Sequence, residues 1–292
     1  MRRREFISLL GGAAAASAWP LAGHAQQPDR VRRIGVLMSL AASDPQAQAR
    51  VAAFREGLQM LGWAEGRNIR IDIRRGALDA ESRQRSAKEL VVSQPDLILS
   101  HTTPTTAALL QQTRTIPIVF VQVADPVGSG FVASFPRPGG NVTGFTNIEP
   151  TMAGKWLELL KEIAPRVARV AFLFNPATAT YAEIFLNPFK AAAASFAVEA
   201  IAAPVRDRSE LESVFAAQAR EPNGGLIVMP DPFTAVHRAQ ITSLAARYRL
   251  PAVYPFRYFA EAGGLLSYGN DVFDNFRRVA TYVDRIVNTP PP

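Results

Sequence analysis

Four threonines, Thr102, Thr103, Thr105 and Thr106, surround Pro104. At a helix start such a cluster gathers hydroxyls and free backbone N–H groups, a setting suited to a carboxylate. Thr102 or Thr103 can equally serve as a simple helix cap. Asp125 stands before Pro126, where its side chain can take a ligand ammonium or hold its own turn. Asn175 before Pro176, Asp231 after Met229 and Pro230, and Tyr254 repeat the pattern of a polar or aromatic residue closing an apolar run. Ser39, Ser100 and Val123 close three further runs. Phe233, Phe256, Tyr258 and Tyr268 add rings near the same positions. Burying about 200 Å² of ring at roughly 25 cal/mol/Å² is worth about 5 kcal/mol before ordering costs, against about 0–1 for an exposed ion pair. A stacked ring therefore sets affinity and the polar groups set orientation.

Nothing in the chain assembles catalysis from these parts. There is no Gly-x-Ser-x-Gly elbow, no Gly-x-Gly-x-x-Gly after the first strand and no phosphate-binding loop. Of the three histidines, His24 lies in the leader, and His101 and His237 have no nucleophile beside them. His101 stands at a strand end, as a ligand contact or as a polar neighbour. Cysteine is absent, which removes disulfides, a lipid-anchoring thiol and thiolate metal sites. With no metal-ligand spacing either, the expectation is a binding protein without metal or cofactor.

These candidates meet only if each ends a parallel strand, because ligands in open α/β sheets bind beyond the strands' carboxyl ends. From Val31 onward, short apolar runs alternate with amphipathic segments, as βαβ units require. Strands are expected at 34–40, 69–73, 96–100, 117–123 and 141–145, with helices at 51–61, at 80–92 and from Pro104. A second series follows: helix 152–163, strand 167–174, helix 182–196, strand 198–202, helix 209–219, strand 226–229, helix 233–248, and strands 252–254 and 265–268. A last helix carries Phe273, Phe276, Val279, Val283 and Ile286 on one face.

The chain opens with Arg2, Arg3 and Arg4, an uncharged stretch from Ile7 to Leu21, and small residues Gly23 and Ala25. That order predicts a signal peptide over 1–25, cleaved near Ala25, and Arg3-Arg4-Glu5-Phe6-Ile7 resembles the twin-arginine export signal. The formal charge is +7, two units of it in the leader, and the remainder is dispersed, which gives little support to nucleic-acid binding. Beyond Ala25 about 267 residues remain, enough for two cores.

Several stretches resemble the ABC-transporter substrate-binding proteins that include tryptophan and tyrosine binders. They are Ile116 to Val121, Asp125-Pro126-Val127-Gly128-Ser129-Gly130, Arg137-Pro138-Gly139-Gly140-Asn141-Val142-Thr143-Gly144, Lys155 to Lys161, Phe174-Asn175-Pro176, Leu250 to Tyr254 and Gly263 to Gly269. The resemblance implies a type I periplasmic-binding fold: two Rossmann-like lobes with parallel sheets joined by a hinge. The N-terminal lobe is then 30–147 plus 270–289, and the C-terminal lobe 148–269. It implies a periplasmic monomer that binds a small solute, an amino acid or aromatic acid, and delivers it to a permease with its ATPase; the strand ends place the solute's contacts at Ser39, Ser100, Thr102, Thr103, Val123, Asp125, Asn175, Asp231 and Tyr254. Members of the family usually continue past a helix such as that ending near Asn288, and this chain departs from them there. A sensory receptor partner, an exported enzyme and a regulator's effector core are the competing readings. The last lacks room for a helix-turn-helix between Gln26 and Val31.

Overall fold

The structure is a computed structural model that describes residues 31–75, 79–146 and 148–288. The leader expected at 1–25 and the residues at 147 and 289 that bound the expected lobes lie outside those residues.

The first sheet is built from β1 (Arg32–Met38), β2 (Ile69–Arg75), β3 (Leu97–His101), β4 (Ile118–Val123) and β5 (Val142–Thr146), all parallel in the order β2-β1-β3-β4-β5. Continuous runs such as Leu97-Ile98-Leu99 form its centre because both faces are covered. Ile98, Ile118 and Phe120 point to α2 (Ala80–Val92) and α3 (Thr103–Gln112), in a core with Leu90 and Leu109. Leu97, Leu99, Val119 and Val121 point the other way, to α1 (Pro45–Met60) and the last helix α10 (Val272–Asn288). The alternation of Ile69, Ile71 and Ile73 belongs to β2, an edge strand, as period two requires. α1 starts where Asp44 accepts the Gln46 N–H at 2.8 Å and Pro45 takes the first turn, and Gly62, at φ +88°, turns the chain away after it.

The second sheet contains β6 (Arg169–Phe174), β7 (Glu199–Pro204), β8 (Gly224–Val228), β9 (Ala252–Tyr254) and β10 (Leu266–Ser267), parallel in the order β10-β9-β8-β6-β7. Around it lie α4 (Met152–Ile163), packed on α5 (Ala182–Ser195), and α6 (Glu210–Ala219), packed on α8 (Arg238–Arg247). The helix expected over 233–248 is instead two, α7 (Pro232–Val236) and α8, with His237 between them. The Arg238 guanidinium donates to the Ala235 carbonyl at 2.8 Å, next to the break. A short α9 (Arg257–Glu261), not anticipated from the sequence, separates β9 from β10.

Two segments pass between the sheets, one after Thr146 and one around Tyr268. They run side by side: a Cβ on Gly269 would stand 1.9 Å from the Pro255 carbonyl oxygen and 3.2 Å from Ile148. The Trp156 indole donates to the Tyr268 carbonyl at 2.8 Å, which fastens the returning segment to α4. α10 then packs on α1 and the first sheet.

Candidate binding site

The carboxyl ends of β1, β3 and β4 face those of β8 and β9 across a small cavity of about 20 Å³. Ser39, Arg50, His101, Thr102 and Gln122 line it from the first sheet's side, and Asp231, Phe256 and Tyr258 from the second. Tyr181 lines both this cavity and a neighbouring groove of about 580 Å³, whose walls include Thr103, Pro104, Asp125, Phe131 and Ile184.

The inner cavity is organised by Arg50, a fully buried cation on the apolar stripe of α1. Its Nη1 lies 2.9 Å from His101 Nε2. On the other side of the ring, Ser39 Oγ meets Nδ1 at 3.0 Å and the Ser39 backbone N–H donates to the same nitrogen at 3.4 Å. Burial, and then the adjacent guanidinium, hold the His101 pKa well below its usual value, so the ring is neutral. The Gln122 amide oxygen Oε1 lies 3.0 Å from Nε2, and Phe276 of α10 meets the ring edge-on at 5.5 Å. Arg50 also lies over the Tyr258 ring, 5.5 Å from its centroid. Arg50 Nε and Thr102 Oγ1 are buried and have no hydrogen-bond partner among the described residues.

Backbone strain collects at the same strand ends. Thr102, Gln122 and Asp125 have φ of 84°, 58° and 42°, conformations that non-glycine residues adopt only where the surroundings impose them. Thr102 thereby leaves β3 sharply, and its side chain makes no capping bond to α3. The other threonines are consumed locally. Thr105 Oγ1 donates to the His101 carbonyl, Thr106 Oγ1 to the Thr102 carbonyl at 2.9 Å, and Ser100 Oγ meets both hydroxyls.

Opposite stands Asp231, the N-cap of α7. It accepts from the Asn175 N–H at 2.8 Å, the Phe233 N–H at 3.0 Å and the Thr178 hydroxyl at 2.5 Å. Burial outweighs these bonds and raises its pKa to about 6. A group raised in the folded state binds protons more readily there than in the unfolded chain, so its charge destabilises the fold above about pH 6. That cost is relieved as pH falls towards the unfolded value of 3.8. Accordingly, the melting temperature of the wild type relative to Asp231→Asn, measured by circular dichroism, rises between pH 7 and pH 5.

Of the residues singled out in the sequence, Ser39, Thr102 and Asp231 line the inner cavity, and Thr103 and Asp125 line the groove. Ser100, Val123 and Asn175 are buried behind them. Asp125 holds its turn by accepting the Gly128 N–H at 2.7 Å. Tyr254 is turned away, stacked on Phe259 at 5.1 Å beside a separate cavity of about 360 Å³. Phe256 and Tyr258 bring their rings to the site, while Tyr268 is half exposed. Arg50, Gln122 and Tyr181 went unread. Arg50 had a signal: it falls at helical spacing with Ala47, Phe54 and Leu58, a charge within an apolar stripe.

Among the described residues no helix is long and apolar enough to cross a membrane, and no group of three or more His, Asp or Glu is placed to hold a metal.

A family model described as "ABC transporter substrate binding protein" matches residues 33–292. A tyrosine-binding protein of Clostridioides difficile is 28% identical over 169 residues, 58% of this chain. The matched stretch spans about half of that relative, 48% of its length. Among solved structures, a conserved domain protein from Vibrio cholerae superposes with a TM-score of 0.82 at 27% identity, covering 90% of this chain and 87% of that one. An ABC domain from Streptococcus pneumonia in complex with L-Trp gives 0.81 at 23%, covering 90% and 86%.

Proposed function

The chain belongs to the family of ABC transporter substrate binding proteins, and from that membership we propose that it captures a small organic solute, an amino acid or aromatic acid, between its two lobes and delivers it to a permease outside the cytoplasm. The observation that carries the reading is the inner cavity, which takes its polar groups from strand ends of one sheet and its rings and carboxylate from the other. A solute bridging these walls stabilises the closed arrangement relative to an open one, and only such differential binding shifts the population. The tyrosine-binding relative and the tryptophan-bound structure favour an aromatic solute. The lobe boundaries inferred from the sequence, the periplasmic location and the monomeric state belong to the same reading.

Closure has a mechanical counterpart. Arg238, at the start of α8, pairs bidentately with Asp44, the N-cap of α1, at 2.9 and 3.0 Å, and both side chains are largely buried. A bidentate, largely desolvated pair of this kind is worth about 1–2 kcal/mol. Arg238→Ala is therefore expected to weaken solute affinity about tenfold by isothermal titration, with little change in the melting temperature of the free protein.

The proposal is tested by a thermal-shift panel on the full chain with L-tyrosine, L-tryptophan, aryl carboxylic acids, sugars and nucleosides. A solute at 100 times its Kd adds about 2.7 kcal/mol and visibly raises the melting temperature. A rise confined to one chemical class supports the reading; no rise with any class, from a cooperatively folded protein, counts against it.

A further inference from the structure

The cavity's charges are unequally committed. Among the described residues Arg50 is buried without an ion pair and its Nε without a hydrogen-bond partner; its Nη1 rests on a neutral imidazole and Tyr258 is its other polar neighbour. A guanidinium left this way is costly unless an anion joins it. Beside it Thr102 Oγ1 is also buried and unpartnered among the described residues, at the start of the ten-residue helix α3. Three donors therefore converge: a guanidinium edge, a hydroxyl and a helix N-terminus.

The nearby carboxylates are already engaged. Asp231 takes three protein donors, and Asp44 is held by Arg238 and the Gln46 N–H. Asp125 and Glu183 face the outer groove, and neither lines the inner cavity. An α-ammonium lies one carbon from its carboxylate and would have to share the inner cavity with Arg50, where like charges repel and the lining carboxylate, Asp231, already takes three protein donors.

Resting on the solute-binding reading above, we propose that the solute is an anionic carboxylic acid without an α-ammonium group. Its carboxylate is held by Arg50 and Thr102 in the inner cavity, and its apolar body lies in the adjoining groove over Tyr181, Phe131 and Ile184. The groove outside, at about 580 Å³, admits a ring, and the inner cavity, at about 20 Å³, is too small for one.

The test is isothermal titration of the full chain with two matched pairs, 3-phenylpropanoate against L-phenylalanine and 3-(4-hydroxyphenyl)propanoate against L-tyrosine. Within each pair the acid is expected to bind at least tenfold more tightly than the amino acid. Arg50→Met should weaken the acid by a hundredfold or more while keeping the melting temperature of the free protein, and Arg50→Lys should recover part of the loss. Tighter binding of the amino acids overturns the proposal and leaves solute capture standing, as does an Arg50→Met protein that binds the acid unchanged. If only sugars or nucleosides raise the melting temperature, the proposal also falls; if nothing does, solute capture falls with it. The wild-type pairs decide the matter even where Arg50→Met fails to fold.

Discussion

Replacing Trp156 with alanine lowers the melting temperature by roughly 6–20 °C. The indole is fully buried, stacked on Phe185 at 6.2 Å and edge-on to Phe172 at 6.3 Å. Removing it costs about 3–5 kcal/mol in lost transfer energy and unfilled space. In a chain of this size each kcal/mol moves the midpoint by about 2–4 °C. The substitution also orphans the Tyr268 carbonyl, which loses its indole donor in the segment that returns to the first sheet. Trp156→Phe keeps a ring and loses only the donor, so differential scanning calorimetry should place it between the two. A midpoint for Trp156→Ala within 2 °C of the wild type would show that α4 does not anchor the crossing.

Gly144→Ala should cost more than 4 kcal/mol, the range reserved for substitutions that break a specific constraint. Gly144 pairs with Phe120 in the β4–β5 ladder, and a Cβ there would stand 2.0 Å from the Phe120 carbonyl oxygen and 2.7 Å from its nitrogen. The clash is with the β4 backbone, and relieving it opens the β4–β5 ladder. β4 carries Gln122 and Val123 to the site, so chemical denaturation should reveal a large drop in midpoint, accompanied by loss of any solute-induced thermal shift.

Most of the fold was legible because parallel strands buried on both faces read as unbroken apolar runs. Helix α2 stands at Ala80–Val92 and β9 at Ala252–Tyr254, the bounds expected from the alternation of apolar runs and amphipathic segments. The break at His237 was not legible. It lies where an arginine reaches a carbonyl one turn earlier while bridging to α1, a tertiary arrangement with no local pattern. The site divided the same way. The strand-end rule of α/β sheets pointed to Ser39, Thr102 and Asp231, and these line the inner cavity. Tyr254 failed the same rule because side chains alternate along a strand, and a three-residue strand leaves the parity undetermined. The positive φ of Thr102 and Gln122 has no signature in residue type, since neither is glycine or asparagine. Arg50 was the readable omission: a cation amid Ala47, Phe54 and Leu58 on one helix face marks a buried charge that requires a reason.

That solute binding draws the two lobes together is tested most directly by small-angle X-ray scattering of the full chain, alone and with the panel compound that most raises its melting temperature. The account predicts a smaller radius of gyration with the compound bound, and a weaker contraction in Arg238→Ala. An unchanged radius at saturating compound would contradict it, leaving a protein that binds its solute without closing on it.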